Sequence, residues 1–220
     1  MSAPGKGKDM DYKLYLFDFD YTLADSEEAI VSCYKHVFDL HGFQIPPDDD
    51  IRRTIGYTLA EGFEMLLGEH DPEVLERYRA EYVDRANEIM AKMTKLYPTV
   101  PPTIRTLHDR GALLGVISIK YRFRLSITLE EYGILDLFSV IIGGEDVTAA
   151  KPDPQGILKA LDVMKVAKND VLYIGDSVVD ARTAENAGVD FAPVTTGMTR
   201  AEEFAPYRCV RILSDLSELV

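Results

Sequence analysis

Six side chains with the chemistry to act together are scattered over this chain, and four of them are aspartates. Asp18 and Asp20 follow an apolar run, Leu14 to Phe17, and Asp176 and Asp180 follow a second, Val171 to Ile174. Ser118 ends a third run, Leu113 to Ile117, and Lys151 precedes Pro152-Asp153-Pro154 at a helix start. Taken singly each has an ordinary explanation: a solvated turn, a helix cap, a loop lysine. Convergence changes the reading, because in an open α/β sheet the carboxyl ends of parallel strands meet on one edge, where ligands bind. Four carboxylates gathered there repel one another, and Lys151 supplies one positive charge, so a divalent cation is the natural complement. Oxygen ligands without paired Cys or clustered His select magnesium over zinc. A metal, a hydroxyl, an ammonium and a nucleophilic carboxylate form a set suited to phosphoryl transfer, in which positioning and neutralising charged oxygens is most of the work.

The elements that must position these groups alternate. Short, nearly continuous apolar runs such as Leu14 to Phe17 read as strands buried on both faces. From Leu113 onward the rhythm is strand then helix: Leu113 to Ile117, Phe123 to Tyr132, Val140 to Ile142, Gln155 to Val166, Val171 to Ile174, Val178 to Ala187. That alternation predicts a doubly wound, Rossmann-like parallel sheet. Val189 to Val194 and Val210 to Leu213 predict two further strands. Gly175 permits close backbone approach beside Asp176, and the helix beginning after Ser177 turns the positive end of its dipole toward the carboxylates.

Between the first acidic pair and residue 95 the pattern is helical instead. Asp25 with Glu28 has capping-box spacing for a helix running to about Leu40, closed by His41-Gly42. After Pro46-Pro47 a short helix is expected around Ile51 to Ile55. Thr58 with Glu61 repeats the capping box, and Asp71-Pro72 is an N-cap followed by proline at the first helical position. Val74, Leu75, Tyr78, Tyr82, Val83, Ala86, Ile89, Met90 and Met93 then mark the apolar stripe of a long helix. Tyr97-Pro98 ends this region, and a further helix opens at Pro101-Pro102 and stops at Gly111. The reading is therefore an α/β core over residues 12–24 and 96–220, interrupted by an inserted all-α cap domain over 25–95.

Composition sets the limits. With 220 residues, 46% hydrophobic and 28% charged, the chain has material for a large core and none of the marks of disorder. A net charge of -13 argues against nucleic acid or an anionic membrane as partner, since phosphate backbones reward clustered Lys and Arg. Cys33 and Cys209 stand far apart, without the spacing of a zinc site or a disulfide framework, so a reducing cytoplasm is expected. No apolar run reaches the length of a membrane span. Met1 to Asp11 reads as a loose polar arm rather than a signal peptide.

In order, these pieces resemble the haloacid dehalogenase superfamily: Asp-x-Asp-x-Thr at Asp18 to Thr22, then Ser118, Lys151, and Gly-Asp-Ser-x-x-Asp at Gly175 to Asp180. The resemblance spans residues 13 to 200. The insertion after the first motif, Lys151-Pro-Asp-Pro and Thr196-Gly-Met-Thr look like the phosphoglycolate phosphatase-like subgroup. It implies that Asp18 is a nucleophile forming an aspartyl-phosphate, and that Asp20 protonates the leaving group and then activates water. Ser118 and Lys151 would hold phosphoryl oxygens. Magnesium would bind the Asp18 carboxylate, the Asp20 backbone carbonyl and Asp176, with Asp180 supporting from behind. The implied activity is a phosphatase acting on a small phosphorylated metabolite. Two positions depart from the pattern: Tyr21 stands where Gly is most common and is expected to narrow the mouth of the site, and Ile119 stands where Asn commonly follows the Ser.

Other chemistries fit less well. Dehalogenases of the superfamily lack the second acid, and phosphonate-cleaving members replace it with Ala, so Asp20 argues against both. Sugar-phosphate mutases carry a His ten residues after that acid, where this chain has Ile30. A receiver-type signalling domain also phosphorylates an Asp at a strand end, but needs no cap and places its lysine differently. Inorganic pyrophosphate, phosphoglycolate and small sugar phosphates all remain open as substrates; Arg52, Arg53 and the turn Gly56-Tyr57 lie near the expected cap helix ends, where they are placed either to face the leaving group or, as is more usual for two arginines, to be simply solvated. Oligomeric state is not legible.

Overall fold

Strand β1, Leu14–Phe17, is buried along its whole length, and alternate side chains serve opposite faces of the sheet, as the period-2 geometry of a strand dictates. Tyr15 and Phe17 enter one apolar cluster, Leu14 and Leu16 another. The chain is seen here in a computed structural model that describes residues 11–220. The polar arm expected over Met1 to Asp11 therefore lies, apart from Asp11, outside the described residues.

After β1 the chain passes through β2, Ala24–Asp25, into four helices: α1, Glu27–Leu40; α2, Asp48–Arg52; α3, Leu59–Leu67; α4, Pro72–Met93. It returns through β3, Lys95–Leu96, which pairs antiparallel with β2. There follow α5, Val100–Asp109; β4, Leu113–Ile117; α6, Arg122–Glu131; β5, Val140–Ile142; α7, Gln155–Met164; β6, Val171–Gly175; α8, Val178–Ala187; and β7, Asp190–Pro193. The five long-range strands form one parallel sheet in the order β5-β4-β1-β6-β7. β1 is central, and α/β winding on both faces is the expected Rossmann-like class. Ile104 and Leu107 of α5 and Leu125 and Leu129 of α6 cover one face. Ile157 and Leu161 of α7 and Ala181 and Ala184 of α8 cover the other.

Helices α1 to α4 have a core of their own, built on aromatic rings. The centroids of Tyr34 and Phe63 lie 4.9 Å apart, those of Tyr34 and Tyr82 5.1 Å, and those of Phe63 and Tyr78 5.4 Å, spacings at which tilted and edge-on pairs add to simple burial. Thr58 and Glu61 form the expected capping box on α3, and Asp71 caps α4 with Pro72 in its first turn.

Three boundaries differ from the sequence reading. Helix α1 is capped at Ser26 without a capping box, because Asp25 is taken up by β2 opposite Lys95. The short helix expected around Ile51 to Ile55 lies earlier, at α2, where Pro47 and three aspartates suit a helix start. The strand expected over Val210 to Leu213 is reduced to isolated bridges, Phe191 to Cys209 and Val194 to Leu213. Among the described residues no helix is long and apolar enough to cross a membrane.

Candidate active site

The side chains singled out in the sequence converge at the carboxyl edge of the sheet. Asp18 follows β1, Ser118 follows β4, Asp176 follows β6, and the adjacent pairing of these three strands places them side by side. Lys151 arrives from the loop before α7 and spans two carboxylates, its Nζ 2.7 Å from Asp18 Oδ1 and 2.7 Å from Asp180 Oδ1. All four aspartates and the lysine are buried. A single buried ammonium between two acids is stable only because both are hydrogen-bonded to it.

Asp180 has no oxygen to spare. Its Oδ1 also accepts from the Tyr173 hydroxyl at 2.8 Å, while Oδ2 accepts from the Ser177 hydroxyl at 2.6 Å and from the Ser177 N–H at 3.2 Å. The last two contacts, with the Asp180 N–H donating to Ser177 Oγ, are the capping box of α8. One residue thus starts a helix and anchors Lys151. Asp176, by contrast, is held loosely, with a long contact from the Thr22 hydroxyl, 3.5 Å to Oδ1.

These geometries load the site with charge. Burial, together with Asp180 and Asp20 and against the pull of Lys151, pushes Asp18 up to about 7. Asp176 is raised well above the carboxylate range by burial, then by Asp180 and Asp18. Lys151 is raised, since Asp18 and Asp180 outweigh the desolvation that opposes its charge. One carboxylate oxygen from each of Asp18, Asp176 and Asp180 lies within 4.8 Å of the others. Asp18 and Asp176 offer the set of hard oxygen donors a divalent cation takes, while Asp180, its oxygens engaged by Lys151, Tyr173 and Ser177, stands behind them. The Asp20 side chain stands outside that set.

Instead, Asp20 faces a cavity of about 300 Å³ between the sheet edge and the helical insertion, which Ser118 and Lys151 also line. Lys120 holds Asp20 there, Nζ to Oδ1 at 2.6 Å, and the Ser26 hydroxyl donates to the same oxygen at 2.5 Å. The Lys120 N–H donates in turn to Ser118 Oγ at 3.1 Å. Sequence reasoning missed Lys120; its signal was a cation two residues past a strand-end serine.

Comparison with known proteins shows the family. A model of the haloacid dehalogenase-like hydrolase family matches residues 15–194, a stretch that takes in all six side chains. The chain belongs to the haloacid dehalogenase-like hydrolases. A pyrophosphatase PpaX from Halalkalibacterium halodurans is 30% identical over 96% of this chain and 98% of its own length. A phosphoglycolate phosphatase from Psychrobacter arcticus is 27% identical over 96% and 95%. The crystal structure of a haloacid dehalogenase-like hydrolase from Bacteroides fragilis superposes with a TM-score of 0.93 at 50% identity, covering 95% of this chain and 100% of that one.

Where this family member departs from the common motif, the backbone explains one case. Tyr21 has φ +60°, the left-handed region that glycine enters freely and a bulky residue does not. It does not narrow the cavity: its hydroxyl turns to Glu27 Oε2 at 2.7 Å, and Glu27 is held by Arg52 Nε at 2.7 Å. Ile119 lines the cavity beside Lys120, as do Gly56 and Tyr57. Arg52 and Arg53 are not part of its wall; they pair with Glu27 and Asp49, and with Asp50.

Proposed function

We propose that this hydrolase is a magnesium-dependent phosphatase acting on a small phosphorylated metabolite through an aspartyl-phosphate on Asp18. The observation that carries the reading is the meeting of Asp18, Asp20, Ser118 and Lys151 at one sheet edge beneath a cavity. Asp18 attacks phosphorus and the bond to the leaving oxygen breaks. Asp20, within the cavity and oriented by Lys120 and Ser26, gives that oxygen its proton. Asp20 then takes a proton from water, which attacks the aspartyl-phosphate, releasing phosphate and restoring Asp18. Ser118 and Lys151 hold the non-bridging phosphoryl oxygens. Asp18, Asp176 and the Asp20 carbonyl are the proposed magnesium ligands, and bound magnesium would neutralise charge between nucleophile and phosphoryl group. Asp180 supports them by fixing Lys151.

Residues 12–24 with 96–220 form the proposed catalytic core domain and 25–95 the proposed cap domain. The similarity to proteins named pyrophosphatase and phosphoglycolate phosphatase supports substrates of that size. A mutase is disfavoured by Ile30, an apolar residue in the cavity wall with no proton to relay. Two free thiols, Cys33 and Cys209, support a reducing cytoplasmic setting.

Asp18→Asn tests the reading. With magnesium and a generic aryl phosphate, the variant is expected to lose turnover while keeping its melting temperature within a few degrees or gaining, since an uncharged amide relieves the acid cluster. Near wild-type hydrolysis by the folded variant would refute the nucleophile assignment.

A further inference from the structure

The cavity wall holds four cationic side chains, and three have counter-charges. Lys151 spans Asp18 and Asp180, Lys120 sits on Asp20, and Arg79 makes a two-pronged contact with Glu76, 2.7 Å from Nε and 2.6 Å from Nη2. Arg124, in the first turn of α6, has none. It is 8% exposed, yet no carboxylate of the described residues lies within 4.0 Å of it. Its partners are neutral: Nη2 donates to Asn87 Oδ1 at 2.7 Å and to the Val83 carbonyl at 3.3 Å, and Nε has no partner at all. The rings of Tyr121 and Phe123 lie 5.6 and 5.2 Å from its guanidinium carbon. Burial works against the charge and pulls the group below the usual arginine range.

A buried guanidinium without an anion is an unfavourable thing for a fold to keep. In the wall of a reaction cavity the missing anion has a natural source in the substrate. We propose that Arg124 is a specificity-determining residue that receives a second anionic group, phosphate or carboxylate, on the leaving-group side of the substrate. This rests on the phosphatase reading of the cavity. The planar fork of arginine suits either group. Asn87 and Val83 belong to α4, so the same side chain ties the insertion to the sheet domain, and the test must separate recognition from that tie.

The experiment compares kcat/KM for inorganic pyrophosphate and phosphoglycolate with that for monoethyl phosphate and an aryl phosphate, in wild type, Arg124→Gln and Arg124→Lys, with melting curves for each. Wild type is expected to prefer at least one anionic leaving group. Arg124→Gln should lower kcat/KM for that substrate by roughly 10- to 100-fold, the size of a lost charged hydrogen bond, while changing the neutral substrates less than about threefold. Arg124→Lys should recover part of the loss. Whether pyrophosphate or phosphoglycolate suffers more tells phosphate from carboxylate. An equal fall on charged and neutral substrates would make Arg124 a tie only and overturn the proposal, as would no change. If Arg124→Gln does not fold, Arg124→Lys decides by the same charged-to-neutral ratio. A wild type that hydrolyses neutral phosphates in an Asp18-dependent way without preferring either anionic one sinks this proposal and leaves the phosphatase reading standing; hydrolysis of none of the four sinks both.

Discussion

At the scale of single residues, the acidic site depends on neighbours that carry no charge. Gly197 lies so close to Asp176 that an added Cβ would come within 1.9 Å of Oδ2. The same Cβ would also lie 2.7 Å from Asp176 Cγ and 3.0 Å from its Cβ, so the whole carboxyl group must turn and the loop carrying Gly197 must give slightly, and the carboxylate cannot keep its aim. Gly197→Ala should therefore lower the melting temperature by a few degrees without abolishing folding, and raise the magnesium concentration for half-maximal activity about tenfold, the lower end of what disturbed ligand support costs. A magnesium titration at fixed substrate checks this, and an unchanged midpoint would show that Asp176 does not ligate. A charged neighbour, Lys120, matters in a different way. Lys120→Met removes the ammonium 2.6 Å from Asp20 and should cut kcat by about 10- to 100-fold with little change in melting, in line with misplacing a general acid. Asp18, Ser118, Lys151, Asp176 and Asp180 were legible as strand-end or helix-start residues, because strand ends must gather. Lys120, in a loop, and Arg124, in a helix turn, were not, since only the cavity sets one basic side chain apart from another.

At the scale of elements, local signals were read well and long-range ones poorly. The caps of α3 and α4 lie within three residues of the helix starts they define, so sequence alone sufficed. Asp25 looked like a cap but joins β2, whose partner β3 lies some seventy residues on, and no local pattern reports such a pairing. That two-stranded ribbon is also what makes the insertion a plausible lid. Its contacts with the sheet domain beyond the ribbon include Arg124 to Asn87 and Arg79 Nη1 to the Tyr121 hydroxyl at 3.0 Å, which a small rotation would break. Closure over the cavity would shut out bulk solvent during phosphoryl transfer, and reopening would release the leaving group and admit the hydrolytic water. Adding magnesium and fluoride to form a phosphoryl mimic should slow hydrogen exchange along residues 25–95 as well as at the strand ends. Protection confined to the strand ends, with the mimic shown to be bound, would mean that the insertion is static.

At the scale of the whole molecule, the buried acids couple stability to pH and to the proposed metal. In the folded, metal-free protein Asp18 sits at about 7 and Asp176 well above its ordinary value, whereas in the unfolded chain both titrate near 3.9, to within about a unit. Between roughly pH 4 and 7 the folded state therefore binds more protons than the unfolded one, and stability falls as pH rises. Protonated acids relieve the cluster at low pH; above about 7 the charges face one another. Magnesium requires the deprotonated oxygens, so its effect has the opposite slope. At 100 times its dissociation constant a ligand adds about 2.7 kcal/mol, which for a chain of this size is roughly 5–10 °C in melting temperature. The expected result is a metal-free melting temperature that declines from pH 5 to pH 8, and a magnesium increment of several degrees at pH 8 that shrinks toward zero at pH 5. Other titrating groups contribute to the raw curve, so the comparison that counts is with Asp176→Asn, in which both the decline and the increment should flatten. An increment of equal size at both pH values, or one that survives in Asp176→Asn, would place magnesium somewhere other than the acid cluster at the sheet edge.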